Sequence, residues 1–303
     1  MGSPSHFPDF KRFELDDREF IQGILNDYQP EISEMTFTNL FMWRHHHGTE
    51  WCMYKDWLLV LGVSDNYECY AFPPIGPGDR KEVAVMLLEW LDEMKQRGIP
   101  TIERADARLV AELDGEGKMV AEESRDHFDY VYGREDLAAL SGRKYHSKRN
   151  FVNTFLRSYS FSYETLTEEH VPECLELAGK WCKMRACEED MNLMGEWRAI
   201  HEALPHFRTL GLRGGVVRVG KTVEAFTLGE FLNKETAVVH IEKANPELRG
   251  LYALINQQFC ENEWADATYI NREQDLGEPG LRKAKLSYHP VRLVEKYRIR
   301  LNR

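Results

Sequence analysis

The sequence predicts an α/β (α+β) protein made of two tandem copies of one unit, each a mixed, mainly antiparallel sheet flanked by helices. Three observations carry this expectation. Two stretches, about 51–106 and 215–275, run through the same order of strands, turn, helix and strand. The residues that close each stretch correspond, Ile102-Glu-Arg-Ala-Asp106 in the first and Ile270-Asn-Arg-Glu-Gln-Asp275 in the second. The 303 residues also hold two units at ~150 residues each.

Trp51–Tyr54 and Trp57–Val63 read as a hairpin around Lys55-Asp56, because apolar and β-branched residues dominate both arms. Glu68–Phe72 continues as a strand and stops at Pro73-Pro-Ile-Gly-Pro-Gly78. Asp79 caps a helix over Lys81–Arg97, whose Val83, Met86, Leu87, Trp90, Leu91 and Met94 keep helical spacing. Gly98 and Pro100 end it, and Thr101–Glu103 restarts a strand. In the second half Gly215–Val219, Lys221–Glu230 and Thr236–Lys243 read as strands with turns at Gly220 and Asn233-Lys234. A helix over Gly250–Trp264 presents Leu251, Leu254, Ile255 and Phe259, and Ala267–Ile270 is the next strand. Between the copies lie Gly142–Tyr159, a strand Phe161–Leu166, a helix capped by Thr167 with Pro172 in its opening turns, and a helix over Glu188–Ala203. The division expected is 1–145 for an N-terminal domain and 146–303 for a C-terminal domain that carries the better candidate site.

Composition narrows the class. The charge is −11, apolar residues make up 43% and aromatic residues 12%, a globular and not a disordered profile. No apolar run approaches the ~18 residues of a membrane span. The opening MGSPSHFPDFKRFELDD turns acidic where a signal peptide is apolar. Six cysteines without a C-x-x-C pair fit reduced thiols, and the expected location is cytoplasmic. The acidic balance excludes a DNA-coating protein. Residues 281–303, however, hold eight Lys/Arg against one Glu, a local +7 that leaves −18 for the rest and leaves room for one anionic ligand near the C-terminal copy.

The element order is that of the GNAT acyltransferase unit, in which the fourth strand splays from the fifth and an acyl carrier enters above a helix N-terminus. Several segments resemble a bacterial tandem-GNAT family related to the C-terminal domain of phosphatidylglycerol lysyltransferase: Thr38-Asn-Leu-Phe-Met-Trp43, Phe72-Pro-Pro-Ile-Gly76, Gly142-Arg-Lys-Tyr-His-Ser-Lys-Arg-Asn150, and above all Asn271-Arg-Glu-Gln-Asp-Leu-Gly277 with Gly280-Leu-Arg-Lys-Ala-Lys-Leu-Ser-Tyr-His-Pro290 and Glu295-Lys-Tyr297. The resemblance implies the fold, and an activity in which an aminoacyl group passes from a charged transfer RNA to an amine or a lipid-headgroup hydroxyl. The donor expected is aminoacyl-tRNA, or acyl-CoA in a CoA-dependent N-acyltransferase; a non-catalytic protein that binds an anionic ligand in a degenerate cleft is the reading from another class.

Candidate site residues follow from their types and places. His240 and Glu242 are two apart on a strand, so they are expected to share a face, where GNAT enzymes place a carboxylate that activates the amine. Tyr288 resembles the tyrosine that reprotonates the leaving group in many GNATs. Asn271, Arg272, Glu273 and Asp275 crowd polar groups behind an apolar strand, and Arg282, Lys283 and Lys285 open the next element, a placement that suits ligand binding or an ion-pair cluster pinning the loop. In Glu247-Leu-Arg-Gly250-Leu-Tyr252 the central Gly250 fits a GNAT phosphate loop, while Glu247 and Tyr252 depart from it; Arg249 and the helix start remain able to take an anion. Arg143, Lys144, Lys148, Arg149 and Arg157 form a basic run suited to an exposed helix or a phosphate-bearing partner. His45-His46-His47 lacks ligand spacing and reads as surface or core, so no metal is expected. The first copy is expected to shape structure or substrate and to lack a comparable polar constellation.

Overall fold

The computed structural model describes residues 4–64, 66–94, 98–113 and 117–302. They form two compact units. One gathers the chain up to Asp129 together with the residues from Val294 onward, and the other spans Tyr130–Leu293.

The first unit contains β1 (Lys11–Arg12), α1 (Arg18–Tyr28), α2 (Phe37–Met42), α3 (Arg44–His47), β2 (Glu50–Tyr54), β3 (Trp57–Val63), β4 (Cys69–Ala71), α4 (Lys81–Glu93), β5 (Ile102–Asp106), α5 (Ala107–Leu113) and β6 (Met119–Glu123). The β2–β3 hairpin turns at Lys55, which takes φ +53°. The Asp79 carboxylate accepts from the Lys81 amide at the start of α4, as its sequence suggests. That helix buries Val83, Ala84, Leu87, Leu88 and Leu91, while Met94 is exposed just past its end; the sequence-predicted tail, residues 95–97, lies outside the described residues. Leu59, Ala71, Ile102 and Ala105 supply the facing side of the core.

The second unit contains β7 (Asp129–Gly133), α6 (Arg134–Ala139), α7 (His146–Ser158), β8 (Phe161–Thr165), α8 (Val171–Met184), α9 (Met191–Ala203), β9 (Arg213–Val219), β10 (Thr222–Phe231), β11 (Thr236–Ala244), α10 (Leu251–Asn262), β12 (Tyr269–Asn271), α11 (Pro279–Leu286) and β13 (Arg292–Val294). Asp190 caps α9 by accepting from Asn192 and Leu193. The expected face of α10 is buried in full, against Tyr130, Tyr132, Val217, Ala225 and Val239.

Both sheets have seven strands in matching order: β1-β2-β3-β4-β5-β14-β6, where β14 is Lys296–Leu301, and β8-β9-β10-β11-β12-β7-β13. From β1 to β6 and from β8 to β7 the neighbouring strands pair antiparallel, except the fourth and fifth of each sheet, β4–β5 and β11–β12, which are parallel. The sixth position of each sheet is filled from the other half of the sequence. β7 pairs with β12, and β14 pairs with β5 and β6. Residues 130–145, assigned to the first copy from the sequence, therefore pack in the second unit, and 294–302 return to the first. The reason is sheet completion: an unpaired strand edge is costly and a remote strand can satisfy it.

The basic C-terminal stretch is accordingly divided, with Arg282, Lys283, Lys285 and Arg292 in the second unit and the cations from Lys296 onward in the first. Lys296 pairs with Asp129 and Glu34, Arg298 with Glu103, and Arg300 with Glu122, all in the first unit. Among the described residues no helix is long and apolar enough to cross a membrane.

Candidate functional site

Parallel pairing of β11 with β12 stops after Thr236, Ala237 and Val238, so the distal half of β11 diverges from its neighbour. Its pairing with β10 shifts register between Leu228/Gly229, which leaves His240 as an extra residue between Val239 and Ile241. A bulge of this kind re-aims side chains. Strict alternation, which put His240 and Glu242 together as a unit, gives way to two separate sets of partners.

The His240 imidazole is fully buried between two carboxylates, with Nδ1 2.8 Å from Glu273 and Nε2 3.0 Å from Glu230. Burial opposes its charge, but hydrogen bonds to Glu230 and Glu273 push the imidazole up to about 9. It is an imidazolium at neutral pH with both N–H groups engaged. Both ring nitrogens are thereby committed to Glu273 and Glu230. Since its folded value lies above the ordinary 6.5, its stabilisation is complete below pH 6.5 and is lost as pH rises through about 9. The expected loss is about 3 kcal/mol. Thermal melts of the parent across this interval should fall, and those of His240→Gln should be flatter.

Glu242 receives Arg272 Nη2 at 2.9 Å and Asn256 Nδ2 at 3.3 Å. Arg272 is mostly screened from water, which works against its charge, yet the Glu242 carboxylate holds it charged above its ordinary value. Its guanidinium lies 5.0 Å from the Tyr288 ring and 6.0 Å from the Tyr132 ring. Tyr288 is buried, and that pushes its hydroxyl up to about 12 despite Arg272. Lys148 Nζ sits 3.9 Å over the same ring. Burial, with Arg272 nearby, lowers this amine to about 8, and no carboxylate of a described residue pairs with it. Lys285 Nζ donates to the carbonyls of Arg272 and, at 3.3 Å, Glu273, which ties α11 to the loop behind β12.

The structure thus brings together His240, Glu242, Asn271, Arg272, Glu273, Lys285 and Tyr288 from the sequence-derived set. Asn271, fully buried, turns the loop by accepting from the Glu273 amide at 2.8 Å. Asp275 and Arg282 form a pin beside the cluster: Arg282 Nε and Nη2 donate to the carboxylate at 2.9 and 2.8 Å, and the Tyr130 hydroxyl and Gly277 amide add to it. Burial opposes the Asp275 charge, but Arg282 and Tyr130 bring the group down to about 2. Lys283 and Arg249 are exposed and stand apart, Arg249 over the Phe151 ring.

Gly250 has a packing explanation. It takes φ +96°, and a Cβ there would run into the Phe151 carbonyl of α7. Gly250→Ala should cost about 2 kcal/mol or more, since the left-handed conformation and the clash add. An unchanged urea midpoint would return this glycine to the role of phosphate-loop residue. Tyr252, bulky for such a loop, accepts from Trp181 Nε1 at 2.9 Å. A groove of about 330 Å³ lies at the far end of β11, lined by Leu177, Lys180, Met184, Val223, Asn245 and Glu247.

Residue reading missed Glu230, Asn256 and the local role of Lys148. Asn256 breaks the apolar face of α10, a visible signal. The basic run of Arg143 to Arg157 divides in space, because Lys144 pairs with Asp136 at 3.1 Å while Lys148 lies over the Tyr288 ring. The first unit, expected to lack a polar constellation, has one. Arg80 is 2% exposed and binds Glu112 and Asp106, and Tyr28 donates to Asp106 at 3.2 Å. Asp106 also accepts from the Leu109 amide, so the charges are spent on holding α4, α5 and β5 together.

Two seven-stranded sheets, each with its fourth strand leaving the fifth, define a tandem acyltransferase fold of the GNAT type. The chain belongs to the family described as phosphatidylglycerol lysyltransferase, C-terminal, which matches residues 25–300. A conserved protein of unknown function from Bacteroides thetaiotaomicron VPI-5482 is similar at 36% identity and a TM-score of 0.89, over 97% of this chain and 99% of that one. L-PGS from Bacillus licheniformis is 13% identical with a TM-score of 0.65, over 99% and 94%. A tandem GNAT protein from the clavulanic acid biosynthesis pathway is 11% identical with a TM-score of 0.52, over 97% and 98%; these last two likenesses concern the fold. An uncharacterised protein of Mycoplasmoides gallisepticum is 20% identical over 175 residues, 57% of this chain, and the match spans little more than half of that protein, 56%.

Proposed function

We propose that the protein is an acyltransferase that moves an aminoacyl group from a charged transfer RNA to an amine or hydroxyl acceptor. The observation that carries this reading is the Glu242–Arg272–Tyr288–Lys148 cluster at the place where β11 leaves β12. The acceptor's nucleophilic atom attacks the ester carbonyl of the donor, and its proton passes to Glu242, through water where the distance requires it. The carbonyl oxygen gains negative charge, and Lys148 and Arg272 offer it cations in a partly dry setting. Collapse breaks the bond to the ribose oxygen, which takes its proton from Tyr288, a hydroxyl that holds that proton at neutral pH. His240, Glu230 and Glu273 fix the bulged strand and the loop behind β12, and Lys285 fixes α11 against that loop.

The packing of Gly250 against α7 and the exposed Glu247 beside it favour a transfer-RNA donor over acyl-CoA, because a pyrophosphate cradle is not needed to explain either residue. A second reading is a non-catalytic protein that binds an anion: both Glu242 oxygens are already engaged and its side chain is 12% exposed. The test incubates purified protein with charged transfer RNAs and a panel of amines and lipid headgroups. Discharge that depends on acceptor supports the proposal. No discharge with any acceptor rejects it, and saturable acetyl-CoA binding at millimolar concentration would move the assignment to CoA-dependent transfer.

A further inference from the structure

Asn256 interrupts the apolar face of α10, and only one end of its amide is used. Its helix neighbours Ala253, Leu254, Ile255 and Phe259 are buried, and Asn256 itself is 1% exposed. Nδ2 donates to Glu242 Oε2 at 3.3 Å. The carboxylate fixes which end of the amide faces it, because only the nitrogen can donate to an ionised acid. Oδ1 is buried and has no hydrogen-bond partner among the described residues.

Such an oxygen costs free energy for as long as it stays unpaired. Holding Glu242 does not require it, since Arg272 Nη2 already does so at 2.9 Å. The amide is planar, so Oδ1 stands directly beside the nitrogen that touches Glu242. An ionised carboxylate has about four acceptor sites, and Arg272 and Asn256 occupy one each. Glu242 and Asn256 therefore present unused acceptors next to one another, where β11 leaves β12. One helical turn nearer the start of α10, on the same side, Tyr252 is 37% exposed, and the Glu242 side chain is 12% exposed, so the row leads in from solvent.

We propose that Asn256 Oδ1 receives an N–H of the acceptor, and that the acceptor is a primary amine and not a hydroxyl; this rests on the acyl-transfer reading of the Glu242 cluster. The count of hydrogens separates the two classes. A primary amine, once its ammonium has lost a proton to water, brings two N–H groups. Its lone pair forms the bond to the ester carbonyl carbon, and one of its protons passes to Glu242. The bond from that carbon to the ribose oxygen breaks, and the ribose oxygen takes the Tyr288 proton. Glu242 returns its proton to Tyr288 through water, which closes the balance. The remaining N–H stays on the product amide and is held by Asn256 throughout. A hydroxyl has a single hydrogen and gives it to Glu242, so Oδ1 is stranded in the transition state. A site with a buried acceptor for an N–H discriminates against the analogue that lacks one.

The experiment compares kcat/KM for matched acceptors on the full chain, with charged transfer RNA as donor. One pair is propylamine and propanol; the other is vesicles of phosphatidylethanolamine and of phosphatidylglycerol, which tells a small amine from a lipid headgroup. The parent should favour the amine by at least about 10²-fold in the pair it uses. Asn256→Leu, an apolar group of similar shape, should cut that preference by about ten-fold or more, a comparison in which the intrinsic reactivity of the amine cancels. Its urea midpoint should match or exceed the parent's, because the unpaired oxygen leaves with the amide. A merely structural asparagine would lower the midpoint and leave the preference where it was. Transfer to the hydroxyl member as fast as to the amine, or an unchanged preference in folded Asn256→Leu, overturns the proposal and leaves the acyl-transfer reading standing. No discharge with any acceptor overturns both.

Discussion

Methionine in place of Lys296 should destabilise the first unit by about 3–5 kcal/mol, the cost of breaking a buried ion pair from one side. The ammonium is fully buried, 2.7 Å from Asp129 and 2.6 Å from Glu34. Asp129 would keep the Ser33 amide and hydroxyl, at 2.8 and 2.9 Å, while Glu34 would keep the looser contact with Arg104. Two carboxylates would then share a dry site with no cation between them. Urea denaturation should register the loss. Neutralising one acid in the same chain, as in Lys296→Met with Glu34→Gln, should restore part of it, since fewer uncompensated charges stay buried. A loss below about 1 kcal/mol would mean that water reaches the triad and that β14 is held by its backbone ladder and Ile299 alone.

Glu242→Gln should lower turnover by about 10²–10⁴-fold, the usual worth of a positioned base, with little change in fold. Glutamine keeps the shape and an oxygen for Arg272, so the guanidinium is not stranded. The discriminating readout is the split between turnover and donor affinity: loss of turnover with retained affinity for charged transfer RNA marks a base. Tyr288→Phe should act in the same direction, because the ring that carries Lys148 and Arg272 remains and only the proton donor goes. Equal turnover in parent and Glu242→Gln would remove the base assignment, and a parent without turnover would favour the ligand-binding reading.

Much of the local structure was legible in the residues. The β2–β3 hairpin, the face of α10, the Asp79 contact at the start of α4 and the duplicated plan follow from apolar periodicity and turn chemistry, which act over a few residues. The crowding of Asn271 to Lys285 marked the right neighbourhood, because polar residues directly behind an apolar strand must find partners. It could not divide that crowd into a cluster at Glu242 and a pin at Asp275. That division depends on Tyr130, 145 residues away from its aspartate partner in the chain. The bulge at His240 was equally silent, since it arises from the register of β10 against β11 and leaves the alternation of either strand unmarked.

The sequence by itself determined that this protein is one fold used twice, with helices and strands whose apolar faces are written at periods of about 3.6 and 2 residues. It also determined the charge inventory, an acidic body with a basic end. Only the tertiary structure decided where those charges go. Lys296 finds Asp129 across 167 residues, and β7 and β14 each complete the sheet built mainly from the other half of the chain. The physical reason is that strand pairing and ion pairing are contacts in space. Their energy rests on closing an open edge or a buried charge, wherever in the chain the partner lies.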